Sequence, residues 1–94
     1  MFEIEAGGDG TIRLRGRLDA AQVGAAAKVL DQVNDSRVVD FQGLQYISSA
    51  GLGLLFAVQR RLADRGQGLK LVNLRPHLRE IFSIAEFDRI FEMG

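Results

Sequence analysis

The sequence contains no cysteine and no tryptophan, one proline and one histidine, and its charges cancel. Without cysteine there are no disulfides and no thiolate metal sites, a composition compatible with a reducing cytosol. A lone histidine among scattered carboxylates offers too few ligands for a transition-metal centre, so no metal and no cofactor is expected. Lysine and arginine together number 12, as do aspartate and glutamate, so no excess positive field favours nucleic acid or an anionic membrane. No apolar run approaches the roughly 20 residues of a membrane span. The start, Met1-Phe2-Glu3-Ile4-Glu5, has neither a basic leader nor an apolar signal core. These features predict a cytoplasmic protein with no direct nucleic-acid contact and no membrane insertion.

What is present suits one globular domain spanning 1–94, with 47% hydrophobic residues for a core and 26% charged residues for its exterior. Phe2 to Glu5 and Thr11 to Arg15 alternate with period two, and Gly7-Gly8-Asp9-Gly10 between them predicts a β-hairpin turn. From Asp19 to Val33, the residues Val23, Ala26, Ala27, Leu30 and Val33 recur at helical spacing, with Asp19 placed as an N-cap. Arg37 to Phe41 reads as a buried strand and Gln42 to Ile47 as a loop. A second helix runs from Ser49 to about Arg65, closed by Gly66. Leu69 to Val72 predicts a strand, Pro76 opens a third helix carrying Leu78, Ile81, Phe82 and Ala85, and Ile90-Phe91 predicts a last strand. The order ββαβαβαβ predicts an α/β fold, in which helices pack on a mixed, mostly parallel sheet that begins with an antiparallel hairpin.

Only the segment Asp40 to Leu55 has a composition that folding alone does not require. It places Ser48 and Ser49 at a helix start, followed by Gly51 and Gly53. A serine there caps free backbone N–H groups, and the same N–H groups and helix dipole stabilise a phosphate nearby. Glycine inside a helix costs about 1 kcal/mol relative to alanine. One account is that Ser49 caps the helix while the glycines let it pack close to a strand. The other is a phosphorylation switch, because phosphoserine adds about −1.5 to −2 charges and turns an apolar docking surface repulsive. Spacing leaves both open.

The run Ile47-Ser48-Ser49-Ala50-Gly51-Leu52-Gly53, preceded by Val39-Asp40-Phe41, resembles the signature of STAS-domain proteins, in particular bacterial anti-sigma-factor antagonists. Gly16-Arg17-Leu18-Asp19 is similar to the Gly-x-Leu-Asp element that leads into their first helix. With the element order, the resemblance covers essentially the whole chain. It implies a STAS-like domain that binds a kinase-type anti-sigma factor when unmodified, is inactivated by phosphorylation of Ser49, and is restored by a phosphatase. It departs from the family pattern at Ser48, where antagonists usually carry an acidic residue, which makes Ser48 the alternative acceptor. The resemblance also implies partner contacts by Asp19, Ser48, Ser49 and Gly51.

A helical wheel places Leu54 at the edge of the second helix's apolar arc, beside Arg61 and Arg65, either as an exposed contact for a partner or as a partly buried side chain. An enzyme would need groups that this sequence barely supplies. His77 could be joined to a serine and an aspartate on paper, but neither serine lies in a Gly-x-Ser-x-Gly elbow, and a first-turn histidine is ordinarily a solvent contact. Gly51-x-Gly53 lacks the further glycine and the lysine of phosphate-binding loops. No catalytic residue is expected. The leading expectation is a phosphorylation-switched protein-binding module, and the alternative is a constitutive STAS adaptor in a sensory or membrane-transport assembly.

Overall fold

Ile12, Leu14 and Leu18 are buried, whereas Arg13, Arg15 and Arg17 between them face the other way, and this alternation makes β2 (Ile12–Leu18) a strand with one side on the core. In the computed structural model, which describes residues 1–94, β2 pairs antiparallel with β1 (Phe2–Ala6) and parallel with β3 (Arg37–Ile47). Parallel pairs then add β4 (Leu69–Val72) and β5 (Glu92–Met93), giving a five-stranded sheet in the order β1-β2-β3-β4-β5. The helices α1 (Val23–Leu30), α2 (Ser49–Ala63) and α3 (Pro76–Ile84) fill the crossovers. Because strand order follows chain order, right-handed crossovers put all of them on one face and leave the other face open. The predicted mixed α/β architecture and its element order are those observed. No helix is long and apolar enough to cross a membrane.

The hairpin turn forms where the glycines place it. Gly10 has φ +86°, its N–H donates to the Gly7 carbonyl at 3.0 Å, and Asp9 accepts from the Thr11 N–H at 3.0 Å. That hydrogen bond, with help from the Arg13 guanidinium at 3.1 Å, holds the Asp9 carboxyl below its ordinary range.

Three elements differ from expectation. The segment Gln42 to Ile47, read as a loop, belongs to β3, which runs 11 residues. Its buried residues Val39, Phe41, Leu44 and Ile47 are not at period two, because β-bulges interrupt the ladder. Arg13 faces Asp40 but Arg15 faces Gly43, so Leu14 stands against both Phe41 and Gln42, and a second slip leaves Gln45 unpaired before Tyr46 meets Arg17. Each extra residue turns the next apolar side chain back to the core. The first helix is shorter than predicted, since Ala20–Gln22 form a 3-10 turn and α1 begins at Val23. The last strand is Glu92–Met93 rather than Ile90-Phe91; Phe87–Arg89 form a 3-10 turn and Phe91 is buried in the core.

Helix ends are closed by identifiable groups. Arg61 of α2 donates to the carbonyls of Leu30 at 3.0 Å and Val33 at 2.8 Å, satisfying the C-terminus of α1 and tying the two helices together. Gly66, at φ +72°, takes the left-handed turn after α2, and the Gln67 N–H donates back to the Leu62 carbonyl at 2.9 Å.

Candidate functional site

The two singled-out motifs meet at the C-terminal end of the parallel strands. Leu18 pairs with Ile47, and the Ser48 N–H donates to the Leu18 carbonyl at 2.9 Å, so the residue before Asp19 is bonded to the residue before Ser49. Their joint is packed as well as bonded. A Cβ on Gly51 would lie 2.9 Å from Ile47 Cγ1 and 3.0 Å from Leu18 Cγ, so the first turn of α2 sits directly on both strands. Gly53 has no such neighbour and faces open space. The two glycines therefore differ in kind: close approach explains Gly51 and leaves Gly53 unexplained.

The serines divide their roles differently from the sequence expectation. Ser48, not Ser49, caps α2. Its backbone is extended (φ −83°, ψ 168°), as an N-cap must be, and its Oγ accepts the Gly51 N–H at 3.1 Å. Ser49 is the first helical residue, is exposed, and its hydroxyl makes no hydrogen bond within the chain. Ser48 is only partly accessible, and its Oγ accepts the one cap hydrogen bond. Of the two hydroxyls, that of Ser49 is the more exposed and the one without a hydrogen bond. Substituting Ser48→Ala removes the cap and should lower stability by about 1 kcal/mol, measured by urea denaturation. Gly51→Ala gains helix propensity but crowds Leu18 and Ile47, for a net loss of about 1–2 kcal/mol in the same measurement.

Asp19 does not cap the first helix with its side chain, as the sequence suggested. It has the extended geometry of a cap (φ −93°, ψ 178°) but makes no side-chain cap hydrogen bond, and the following 3-10 turn is closed by its backbone carbonyl, which accepts the Gln22 N–H at 3.0 Å. Its Oδ1 is buried and without a partner. An unpaired buried carboxylate oxygen is costly, and no donor within the chain compensates this one. Leu54, considered as an exposed contact, is half-buried and packs against the core. Small side chains instead cover the exposed start of α2, with Ser49, Ala50, Gly53 and Ala57 toward solvent.

His77 is exposed in the first turn of α3, and its Nε2 lies 2.8 Å from the Gln45 carbonyl, which accounts for its hydrogen bonding without a serine or carboxylate. No group of three metal-ligating side chains is brought together. Two residues that the sequence did not single out as contacts stand beside the joint: Arg17, whose guanidinium lies over the Tyr46 ring at 4.4 Å from its centroid. Arg17 lies inside the first motif and Tyr46 just before the second, which was the available signal.

The profile of the family described as "Mlab, STAS domain" matches residues 2–92. The chain belongs to the STAS-domain family. A curated relative of this STAS domain is BtrV of Bordetella bronchiseptica, described as a candidate anti-sigma factor antagonist, 44% identical over 57 residues. That match covers 61% of this chain and 49% of BtrV, about half of the relative's length. Among solved structures, an anti-sigma factor antagonist from Mycobacterium paratuberculosis superposes with TM-score 0.82 at 19% identity, covering 99% of this chain and 83% of that one. The anti-sigma factor antagonist SpoIIAA in its unphosphorylated form gives TM-score 0.67 at 24% identity, covering 100% and 87%. The phosphorylated Bacillus form gives 0.65 at 22%, covering 100% and 91%. At these identities the superpositions establish the fold.

Proposed function

We propose that this STAS domain is an anti-sigma-factor antagonist, a binding module whose unmodified form engages a kinase-type anti-sigma factor and whose phosphorylation at Ser49 ends that engagement. The observation that carries the proposal is the division of labour at the start of α2: Ser48 holds the cap, and Ser49 presents an exposed, unbonded hydroxyl one residue later. A phosphate on Ser49 would lie at the positive end of a 15-residue helix, so the fold tolerates the charge that the docked partner does not. The name of BtrV and the existence of phosphorylated and unphosphorylated SpoIIAA support the same assignment. Activity resides in binding, and a phosphatase returns the protein to its competent form.

A constitutive adaptor is the second reading, favoured by the neutral Ser48 where antagonists usually carry an acidic residue. The two separate on one experiment. A purified kinase-type anti-sigma factor from the same organism, in complex with its sigma factor, is titrated with the chain, and free sigma factor is followed by size-exclusion chromatography. Release of sigma factor by the unmodified chain, and no release by the chain phosphorylated at Ser49, is the expected result. A complex that stays intact in excess unmodified chain contradicts the antagonist reading.

A further inference from the structure

The open face of the sheet carries, at the same end as Ser48 and Ser49, an unusual cluster of exposed side chains. Tyr46 is the exposed aromatic residue of the chain, 37% accessible, whereas every phenylalanine is buried or half-buried. The Arg17 guanidinium carbon lies over its ring, 4.4 Å from the centroid. The ion pairs of the protein use Arg13, Arg15 and Arg37, and Arg17 takes part in none of them. Met1, 76% exposed, adjoins Arg17 through the backbone: its carbonyl accepts the Arg17 N–H at 2.8 Å and rests against Gly16, where a Cβ would collide with that oxygen. Register puts Arg17 opposite Tyr46 and Leu18 opposite Ile47, the residue before Ser48.

Tyrosine, arginine and methionine are among the side chains enriched where proteins dock, and a guanidinium held over a ring and in no ion pair still has N–H groups to offer a carboxylate. Glu3 and Glu5 on the adjacent strand disfavour an extended polyanion, while one uncompensated guanidinium matches one carboxylate. We propose that the Arg17 and Tyr46 pair, flanked by Met1, is a docking element that receives an aspartate or glutamate side chain of the kinase-type anti-sigma factor. This rests on the partner-binding reading above and extends the contact surface from the start of α2 around the end of the sheet to its open face.

The test is titration calorimetry of the purified kinase-type anti-sigma factor from the same organism against the wild-type chain, Arg17→Glu, Arg17→Lys and Tyr46→Ala, each at low and high salt. Arg17→Glu is expected to weaken binding by about tenfold or more and to flatten its salt dependence, with Arg17→Lys between it and wild type. Thermal melting of the same variants should be unchanged, because the position is exposed. Binding by Arg17→Glu and Tyr46→Ala that equals or exceeds wild type overturns the docking element and leaves the partner reading standing. Failure of the wild-type chain itself to bind overturns both.

Discussion

Ser49→Asp is expected to weaken binding to a kinase-type anti-sigma factor by roughly 100-fold while leaving the melting temperature unchanged or slightly raised. The two effects have opposite signs for one reason. A carboxylate at the first position of α2 meets the positive helix end and free N–H groups, which favours the folded chain by about 0.3–1 kcal/mol. In the proposed interface the same charge would lose its water among small, uncharged neighbours, with Ala50 and Gly53 on the exposed face of α2. Ser49→Ala should bind as wild type does and should be refractory to inactivation by the kinase and ATP. Equal affinities of the two variants, measured by calorimetry with melting curves alongside, would remove Ser49 from the interface.

The largest expected loss of stability comes from the opposite side of the core. Phe82 is fully buried and packs edge-on against Phe41 at 5.8 Å, Phe87 at 6.1 Å and Phe91 at 6.0 Å, so one ring joins β3, α3 and the last turn of the chain. Phe82→Ala loses the burial of that ring and leaves a cavity, at a cost of about 3–5 kcal/mol. For a domain of this size, total stability is about 5–15 kcal/mol, and each kcal/mol moves the melting temperature by about 4–8 °C. A fall of about 12–40 °C is therefore predicted. Phe56, stacked on Phe87 at 5.7 Å but half-buried, should cost less when truncated. A Phe82→Ala melting curve within a few degrees of wild type, on the order of 1 kcal/mol, would mean the aromatic cluster does not hold α3 to the sheet.

The fold was legible wherever one period held over a whole element. β4 is a short apolar run and α3 repeats Leu78, Ile81, Phe82 and Ala85 behind a proline, and these elements lie where the pattern puts them, while β2, expected over Thr11 to Arg15, runs on through Gly16 and Arg17 to Leu18. It was illegible in the second half of β3, because a bulge changes the spacing of core residues from two to three and makes strand look like loop. Nothing local announces a bulge; the partner strand creates it. Asp19 was misread for a related reason: an aspartate before a helical pattern suggests a side-chain cap, but here a 3-10 turn intervenes and Oδ1 is left without a partner. At the start of α2, the sequence pattern put the cap on Ser49, whereas the structure puts it on Ser48. Which hydroxyl bonds to Gly51 depends on where the strand ends and the helix begins, and that boundary is set by the Ser48 hydrogen bond to Leu18, a contact 30 residues away in sequence. Arg17 and Tyr46 were invisible as a pair because only the β2 to β3 register brings them together.

The most direct test of the account is the intact mass of the chain after incubation with the kinase-type anti-sigma factor and ATP, compared among wild type, Ser48→Ala and Ser49→Ala. One added phosphate on wild type and on Ser48→Ala, and none on Ser49→Ala, is the predicted result. A phosphate that persists on Ser49→Ala, or none on the wild-type chain while the kinase modifies a control substrate, would contradict it.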